Sequence, residues 1–262
     1  MLYHAKNGYI AGTDYICFGT GKRALVILPG LGDGLRTVKG TALPMAWMYR
    51  IFARDFTVYM FSRRERLPVG VSTRDMARDL AEVMDALGIQ KAAVLGVSMG
   101  GMIAQWLAID YPEKVEKLIL AVTSARPNPI LRESVEEWMD QARRDDHRAL
   151  MDSNLRKIYS DGYYRKNRRM IPILARMTKP ASYDRFLIQA VACLSHDAYD
   201  ELPRICAPTL VVGGGQDQAL GGDASRELAS QIPGAALKMY HQWGHGLYEE
   251  EPGFNRMVRD FM

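Results

Sequence analysis

Short apolar runs alternate with longer segments of helical period through the first half of the chain. The apolar runs are "ALVILPG" from Ala24, "TVYMF" from Thr57, "AAVLGV" from Ala92 and "KLILAV" from Lys117. The segments between them are "MAWMYRIFARDF" from Met45, "TRDMARDLAEVMDALG" from Thr73 and "GMIAQWLAIDYP" from Gly101. In the second of these segments, Thr73 is the expected N-cap and Gly88 the expected stop. Alternation of this kind is typical of strands joined by helical crossovers, which run parallel in one sheet. The sequence therefore predicts an α/β fold: a mostly parallel sheet with helices on both faces.

The alternation stops in the middle of the chain. Between about residues 125 and 202, "SVEEWMDQARR", "RALMDSNLRKIYS" and "DRFLIQAVACL" have helical period with no strand between them. Strand-like runs return with "PTLVVGGGQD" from Pro208 and "ALKMY" from Ala236. A chain of 262 residues, about half of them apolar, can bury one large core and a small insertion. We therefore predict an α/β core of residues 1–124 and 203–262, interrupted by a helical cap of residues 125–202.

Charge and composition exclude several classes of protein. The net charge of +4 is small for this length, and acidic and basic residues are mixed, so a nucleic-acid partner is not expected. No apolar window is long enough for a membrane span, and the N-terminus lacks the pattern of a signal peptide. We therefore expect a cytoplasmic monomer or homodimer that acts on a small molecule, with no membrane partner.

The cysteines do not indicate a disulfide framework or a zinc site. Cys17, Cys193 and Cys206 are odd in number and widely spaced, and no two of them form a CxxC pair. We expect them to be reduced thiols in the core, and we expect no metal and no organic cofactor.

A serine set among glycines follows the strand that begins at Ala92. The order in "LGVSMGG" is strand, Gly96, Val, Ser98, Met99, Gly100, helix, which matches the Gly-x-Ser-x-Gly nucleophile elbow. A turn this sharp strains the serine backbone and leaves room only for small residues two positions away. We therefore predict Ser98 as a nucleophile, with the Met99 N–H as an oxyanion donor. An ordinary serine at a strand-to-helix turn is the alternative.

A second glycine-rich segment, "LVILPGLGDGL", also follows a strand. Its glycines, Gly30, Gly32 and Gly34, do not fit the dinucleotide-binding spacing, which requires a third glycine where Leu35 stands. The turn can instead offer a free N–H, that of Leu31, as a second oxyanion donor. A flexible turn with no such role is the alternative.

A serine nucleophile needs a base, and the base needs an acid that orients it. Asp217 stands just beyond the strand "TLVV", at the end where functional groups gather in α/β sheets. A turn or helix cap is the alternative role for this carboxylate. Among the later histidines, His245 lies between two glycines, while His241 directly follows a strand-like run. We predict His245 as the base and His241 as an exposed residue.

These segments together resemble the α/β-hydrolase family. The resemblance runs from about Leu25 to the C-terminus outside the insertion, and includes "GVSMGGMIAQWLAIDYPEKVEKLIL", "ICAPTLVVGGGQD" and "GHGLYEEEPGFNRMVRDFM". Carried over by position, it implies a helical cap, a catalytic triad and an oxyanion hole. The residues so implied are Ser98 as nucleophile, Asp217 as acid, His245 as base, and Leu31 and Met99 as oxyanion donors.

Two segments depart from the family pattern. Members often have His-Gly at the oxyanion turn, where this chain has Pro29-Gly30, and "D-x-R-G-x-G-x-S" after the fourth strand is here "SRRERLPVGVS" from Ser62. Both segments border the expected site. The departures therefore leave the identity of the substrate undecided, but they do not affect the expected mechanism.

The function implied is cleavage of a small carbonyl substrate through an acyl-enzyme. The sequence does not decide whether the bond cleaved is an ester, lactone, thioester, amide or C–C bond. The alternative function is a small-molecule receptor or an acyltransferase on the same fold. Trp138, Tyr159, Tyr163, Tyr164, Met177 and Phe186 are candidates for lining the pocket, although packed core is the more common role for such residues. The basic run "YYRKNRRM", with its charges from Arg165 to Arg169, is most simply a solvated helix face.

Overall fold

Eight strands form one sheet in the computed structural model, which describes residues 2–262. They are β1 Lys6–Ile10, β2 Thr13–Phe18, β3 Arg23–Leu28, β4 Phe56–Phe61, β5 Ala92–Val97, β6 Val115–Ala121, β7 Thr209–Gly214 and β8 Ala236–Tyr240. Their order across the sheet is β1-β2-β4-β3-β5-β6-β7-β8. The strands from β3 to β8 pair in parallel, whereas β2 is antiparallel to both β1 and β4. The predicted mostly parallel sheet is confirmed, with an N-terminal hairpin that the sequence pattern did not predict.

Helices connect the parallel strands or follow the last of them. They are α1 Ala42–Met48, α2 Thr73–Ala86, α3 Met99–Asp110, α4 Pro129–Arg143, α5 His147–Ile158, α6 Asp161–Asn167, α7 Ile171–Thr178, α8 Asp184–Leu194, α9 Ala224–Gln231, α10 Leu247–Glu250 and α11 Phe254–Phe261. Five of them, α4 to α8, follow one another between β6 and β7. That residues 125–202 form a separate cap domain stays a prediction. Within residues 2–262, no helix combines the length and the apolar character needed to cross a bilayer.

Two of the three cysteines lie in the core. Cys17 and Cys193 are buried, whereas Cys206 is exposed, because it lies in the connection that precedes β7. The expectation of three core thiols is therefore wrong for Cys206.

The strand that carries Ser98 lies at the centre of the core. Every residue of β5 is buried, and the helix that follows it, α3, is buried from Met99 to Ile109. A parallel strand covered by helices on both faces has no solvent side, so its sequence is a continuous apolar run rather than an alternating one. This packing holds the β5–α3 junction rigidly, which suits a site that must position reacting groups.

The helix α2 begins one residue earlier than its sequence suggests, at a cap we did not predict. Ser72 is the N-cap: its hydroxyl accepts from the Asp75 N–H, and the Asp75 carboxylate accepts from the Ser72 N–H. Thr73 instead turns its hydroxyl to His196 Nδ1 at 2.8 Å. The other nitrogen of His196 lies 3.3 Å from Gln105 Oε1, so this buried imidazole is held as a structural group between two helices.

Burial of His196 makes the stability of the fold depend on pH. Desolvation lowers its pKa from 6.5 to about 3, so between these pH values His196 is protonated in the unfolded chain and neutral in the folded chain. The contribution of neutral His196 to stability is therefore fully present above about pH 6.5 and is lost as the pH falls from there toward about 3. Below about pH 6.5 the free energy of unfolding should fall faster in wild type than in His196→Gln, by up to about 1.4 kcal/mol per pH unit. Urea unfolding at several pH values measures this, with His241→Gln as control; equal slopes in wild type and His196→Gln would contradict it.

Candidate active site

Ser98 lies at the junction of β5 and α3 in a backbone conformation that non-glycine residues rarely adopt. Its φ of 53° and ψ of −123° fall outside the regions favoured by residues with a Cβ atom. The Ser98 N–H donates to the Ala121 carbonyl at 2.9 Å, and the Ser98 carbonyl accepts from the Gly101 N–H at 2.8 Å. The strained turn predicted from the glycine spacing is therefore present and is held by hydrogen bonds on both sides of the residue.

The glycines around Ser98 are required by neighbouring backbone rather than by the serine itself. A Cβ on Gly96 would lie 2.6 Å from the Gly100 carbonyl oxygen. A Cβ on Gly100 would lie 2.7 Å from the Pro29 carbonyl oxygen and would also collide with the Leu28 carbonyl. The elbow is thus pressed against the turn that follows β3. This corrects our expectation that the clash would be with the serine turn alone.

Replacing Gly100 by valine should reduce both stability and activity. The new side chain meets two backbone carbonyls that cannot rotate away, so we expect a loss of about 3 kcal/mol in the free energy of unfolding. Gly162→Val is the matched control, because its Cβ has only the Ser160 hydroxyl nearby, at 3.9 Å. Thermal melting followed by circular dichroism compares the two. A Gly100→Val protein as stable and active as the Gly162→Val control would contradict this reading.

Asp217 and His245 form a buried pair. His245 Nδ1 lies 2.8 Å from Asp217 Oδ2, and the imidazole is only 4% exposed. The second oxygen, Oδ1, accepts from the backbone N–H groups of Ala219 and Leu220 at 2.8 and 2.9 Å. The carboxylate therefore both organises its own turn and pairs with the imidazole. Because an ionised carboxylate only accepts, Nδ1 carries the proton and Nε2 is the basic nitrogen.

The loop that carries His245 is tethered, not freely adjustable as its glycines suggested. The Gly246 N–H donates to the Ile158 carbonyl at 2.6 Å, and a Cβ on Gly246 would lie 2.8 Å from the Tyr159 ring. These glycines therefore serve close packing against the helical segment between β6 and β7. His241 follows β8 and is exposed, as predicted.

Ser98 and His245 line the same cavity, whose volume is about 420 Å³. Within residues 2–262, no hydrogen bond joins the Ser98 hydroxyl to the imidazole. Catalytic hydrogen bonds are often long or poorly aligned without substrate and shorten when it binds. The arrangement therefore places a serine hydroxyl and a carboxylate-paired histidine on one substrate-sized space.

Of the two predicted oxyanion donors, Leu31 lines this cavity and Met99 directly follows Ser98 in the chain. Leu31 begins a short 3₁₀ helix after Gly30, and Met99 begins α3, so neither N–H has an intrahelical partner. Among the described residues, neither N–H has another backbone acceptor. The Gly30 position lies against the elbow, because a Cβ there would be 3.3 Å from Ser98 Cβ. Both N–H groups are thus free to bind an oxygen beside Ser98.

The cavity is mostly apolar. Of the six residues proposed from the sequence to line the pocket, three do so, namely Trp138, Tyr159 and Phe186. Tyr163 instead stacks on Tyr159, and Met177 is 76% exposed on the outer surface. The sequence analysis also missed the aliphatic part of the wall, because apolar residues in loops and helices show no pattern that separates a cavity wall from packed core. These residues are Leu35, Val38 and Met45 before the elbow, and Leu150, Met151 and Ile158 after it.

A buried ionic cluster beside the oxyanion turn was not predicted. Asp33 Oδ2 lies 2.5 Å from a guanidinium nitrogen of Arg185, which belongs to α8, and 3.8 Å from one of Arg63. Burial lowers the pKa of Arg63, against the opposing influence of Asp33. The only sequence signal was the departure "SRR" after β4, which supplies Arg63. The ion pairs join three segments that are far apart in the chain, so no local sequence pattern predicts them.

Comparison with known proteins gives the same fold over the whole chain. The chain is 24% identical to 3-oxoadipate enol-lactonase 2 of Acinetobacter baylyi, over all of this chain and 98% of the relative. It is 29% identical to 2-hydroxy-6-oxononadienedioate/2-hydroxy-6-oxononatrienedioate hydrolase of Burkholderia vietnamiensis, over 93% of this chain and 88% of the relative. The crystal structure of the enol-lactonase from Burkholderia xenovorans LB400 superposes with a TM-score of 0.81 at 24% identity, covering 98% and 99% of the two chains.

The family comparison covers most of the chain. The model of the alpha/beta hydrolase fold matches residues 23–252, which include every segment that lines the cavity. The N-terminal hairpin lies before the matched range. The chain belongs to the alpha/beta hydrolase fold family, and the predicted fold and enzyme class, a hydrolase, are thereby confirmed.

Proposed function

We propose that the chain is a serine hydrolase that cleaves a small carbonyl substrate through an acyl-enzyme. One observation carries the proposal: the strained Ser98 and the buried His245–Asp217 pair border the same cavity. A hydroxyl at such a turn gains nucleophilicity only where a base can take its proton, and a carboxylate-oriented imidazole is the usual base.

The proposed mechanism has two steps that use the same groups. In the first, His245 Nε2 takes the Ser98 proton as the hydroxyl attacks the carbonyl carbon, and the same proton then goes to the leaving group. The N–H groups of Leu31 and Met99 donate to the oxygen that becomes negative. In the second, His245 takes a proton from water as the water oxygen attacks the acyl carbon; the bond to the Ser98 oxygen then breaks, His245 returns the proton to that oxygen, and the acid is released. Asp217 holds the imidazole in one tautomer throughout and stabilises its charged form.

The cavity favours a compact and largely apolar acyl group. Trp138 of α4, Leu150 of α5 and Phe186 of α8 contribute to its wall. A volume of about 420 Å³ lies at the lower end of the range for small-molecule sites. We therefore assign the helical segment of residues 125–202 the role of a cap that sets substrate size. The names of the relatives add lactones to simple esters as substrates to be tested.

Labelling and turnover test the proposal together. A fluorophosphonate should attach to the wild-type protein, and mass spectrometry of the digest should place the adduct on Ser98. Short-chain p-nitrophenyl esters and small lactones should then be hydrolysed with many turnovers per site. Labelling at another residue would contradict the nucleophile assignment.

The two alternative functions give different results in the same assay. A single slow turnover with every ester and lactone would favour a small-molecule receptor over a hydrolase. Transfer of the acyl group to an added alcohol in preference to water would favour an acyltransferase. Neither alternative has a specific feature of the described residues in its favour.

A further inference from the structure

Arg63 binds the turn that carries the Leu31 N–H. It follows β4 by two residues, and its side chain is 4% exposed. One terminal nitrogen donates to the Pro29 carbonyl at 2.6 Å, and the other lies 3.4 Å from the Gly30 carbonyl. The two segments that depart from the family pattern, Pro29-Gly30 and the residues after β4, are therefore in direct contact.

The charge of Arg63 is not needed to neutralise Asp33. Arg185 already pairs with the Asp33 carboxylate at 2.5 Å and also donates to the Asp33 carbonyl, whereas Arg63 is 3.8 Å from that carboxylate. Two guanidinium groups and one carboxylate leave an excess positive charge in a buried cluster. Burying a charge costs free energy that its contacts must offset. The shortest contact of the Arg63 guanidinium is with the Pro29 carbonyl of the turn. This contact is therefore the main one that offsets the cost of burying Arg63.

The geometry of the peptide group connects this contact to the oxyanion hole. The Gly30 carbonyl and the Leu31 N–H belong to one planar trans peptide, so they point in opposite directions. The Gly30 oxygen accepts from the Asp33 N–H at 3.2 Å and lies within reach of Arg63. Holding the oxygen on that side turns the Leu31 N–H toward the opposite side. Gly30 is also the residue whose Cβ would meet Ser98, so the turn lies directly against the elbow.

We propose that Arg63 is a positioning residue of the oxyanion hole: it holds the Pro29 and Gly30 carbonyls and so aims the Leu31 N–H at the attacked carbonyl oxygen. Its positive charge also polarises the peptide, which makes the N–H a stronger donor. Arg63 does not touch the substrate in this role and acts through Leu31. The inference rests on the proposed serine hydrolase function.

Arg63→Met and Arg185→Met form a matched pair that tests the inference. Both remove a cation from Asp33, but only Arg63 binds the Pro29 carbonyl, and Arg63→Met leaves a neutral Asp33–Arg185 pair that the fold should tolerate. Each variant is assayed with a p-nitrophenyl ester and with the thionoester of the same acyl group, whose C=S sulfur is a poorer hydrogen-bond acceptor. The ratio of the two kcat/KM values therefore reports on the oxyanion hole, which a loss of stability alone does not move.

For Arg63→Met we expect kcat on the oxygen ester to fall about 100-fold with little change in KM, the order of effect of losing one oxyanion donor. The oxygen-to-sulfur ratio should fall at least about tenfold, Arg63→Lys should recover part of it, and Arg185→Met should keep the wild-type ratio. If Arg63→Met does not fold, the ratio in Arg63→Lys decides, and it should lie below that of wild type.

A wild-type ratio in the folded Arg63 variant, or an equal fall in Arg185→Met, would overturn the inference while leaving the hydrolase function intact. Absence of wild-type hydrolysis together with absence of labelling at Ser98 would instead remove the proposed function, and the inference with it.

Discussion

Replacing Ser98 by alanine should abolish fluorophosphonate labelling and lower kcat by at least about 10⁴-fold, while the fold survives. The substitution removes only the hydroxyl, since alanine has the same Cβ as serine and meets the same strain at φ 53°. The three backbone hydrogen bonds of the residue do not involve the hydroxyl and remain available. Residual activity would come from the oxyanion donors and from substrate binding alone.

Labelling rates and steady-state kinetics measure this effect, and thermal melting checks the fold. Ser124→Ala is a suitable control, because Ser124 is also a buried serine after a strand but does not line the cavity. A Ser98→Ala protein that is labelled at the wild-type rate would show that the strained serine is not the nucleophile. Equal loss of activity in both variants would point to a general effect on packing.

Replacing His245 by alanine should lower kcat by a similar factor, about 10⁴-fold or more, because the Ser98 hydroxyl then has no base. His241→Ala should leave kcat close to the wild-type value, since His241 is exposed and does not line the cavity. The pair makes a sharp comparison, with the same substitution four residues apart on one loop.

Steady-state kinetics of both variants on one p-nitrophenyl ester checks this prediction. A double variant with Ser98→Ala should be no worse than either single variant, because residues of one catalytic unit are not additive. If His241→Ala is the inactive variant and His245→Ala keeps its activity, the base is wrongly assigned even though the family remains correct.

The elbow could be predicted from the sequence because its physics is local. A strand that ends in a turn around a strained serine needs small neighbours within a few residues, so Gly96, Ser98 and Gly100 carry the whole pattern. The alternation of apolar runs and helical segments is equally local and predicts the parallel sheet. The hairpin of β1 and β2 escaped prediction because β1 has no buried residue and therefore no apolar run, although four of the six residues of β2 are buried.

The partners of a distant side chain could not be predicted in the same way. His245 was favoured over His241 by its glycines, yet the glycines pack against Tyr159 and its neighbours, so the reason for the choice was wrong and the choice itself stays a prediction. The Thr73 hydroxyl was expected to cap α2, but it binds the buried His196, more than a hundred residues away. A hydroxyl or imidazole can satisfy several partners equally well, and only the folded chain selects one.

By itself, the sequence determined the family, the sheet and the position of the strained serine, because each depends on contacts between residues near one another in the chain. Only the tertiary structure decided the cluster of Asp33, Arg63 and Arg185, which joins the turn after β3, the segment after β4 and α8. The physical reason is that a buried charge is stable only where compensating groups converge on it. Such convergence is a property of three-dimensional packing and leaves no spacing pattern in the chain.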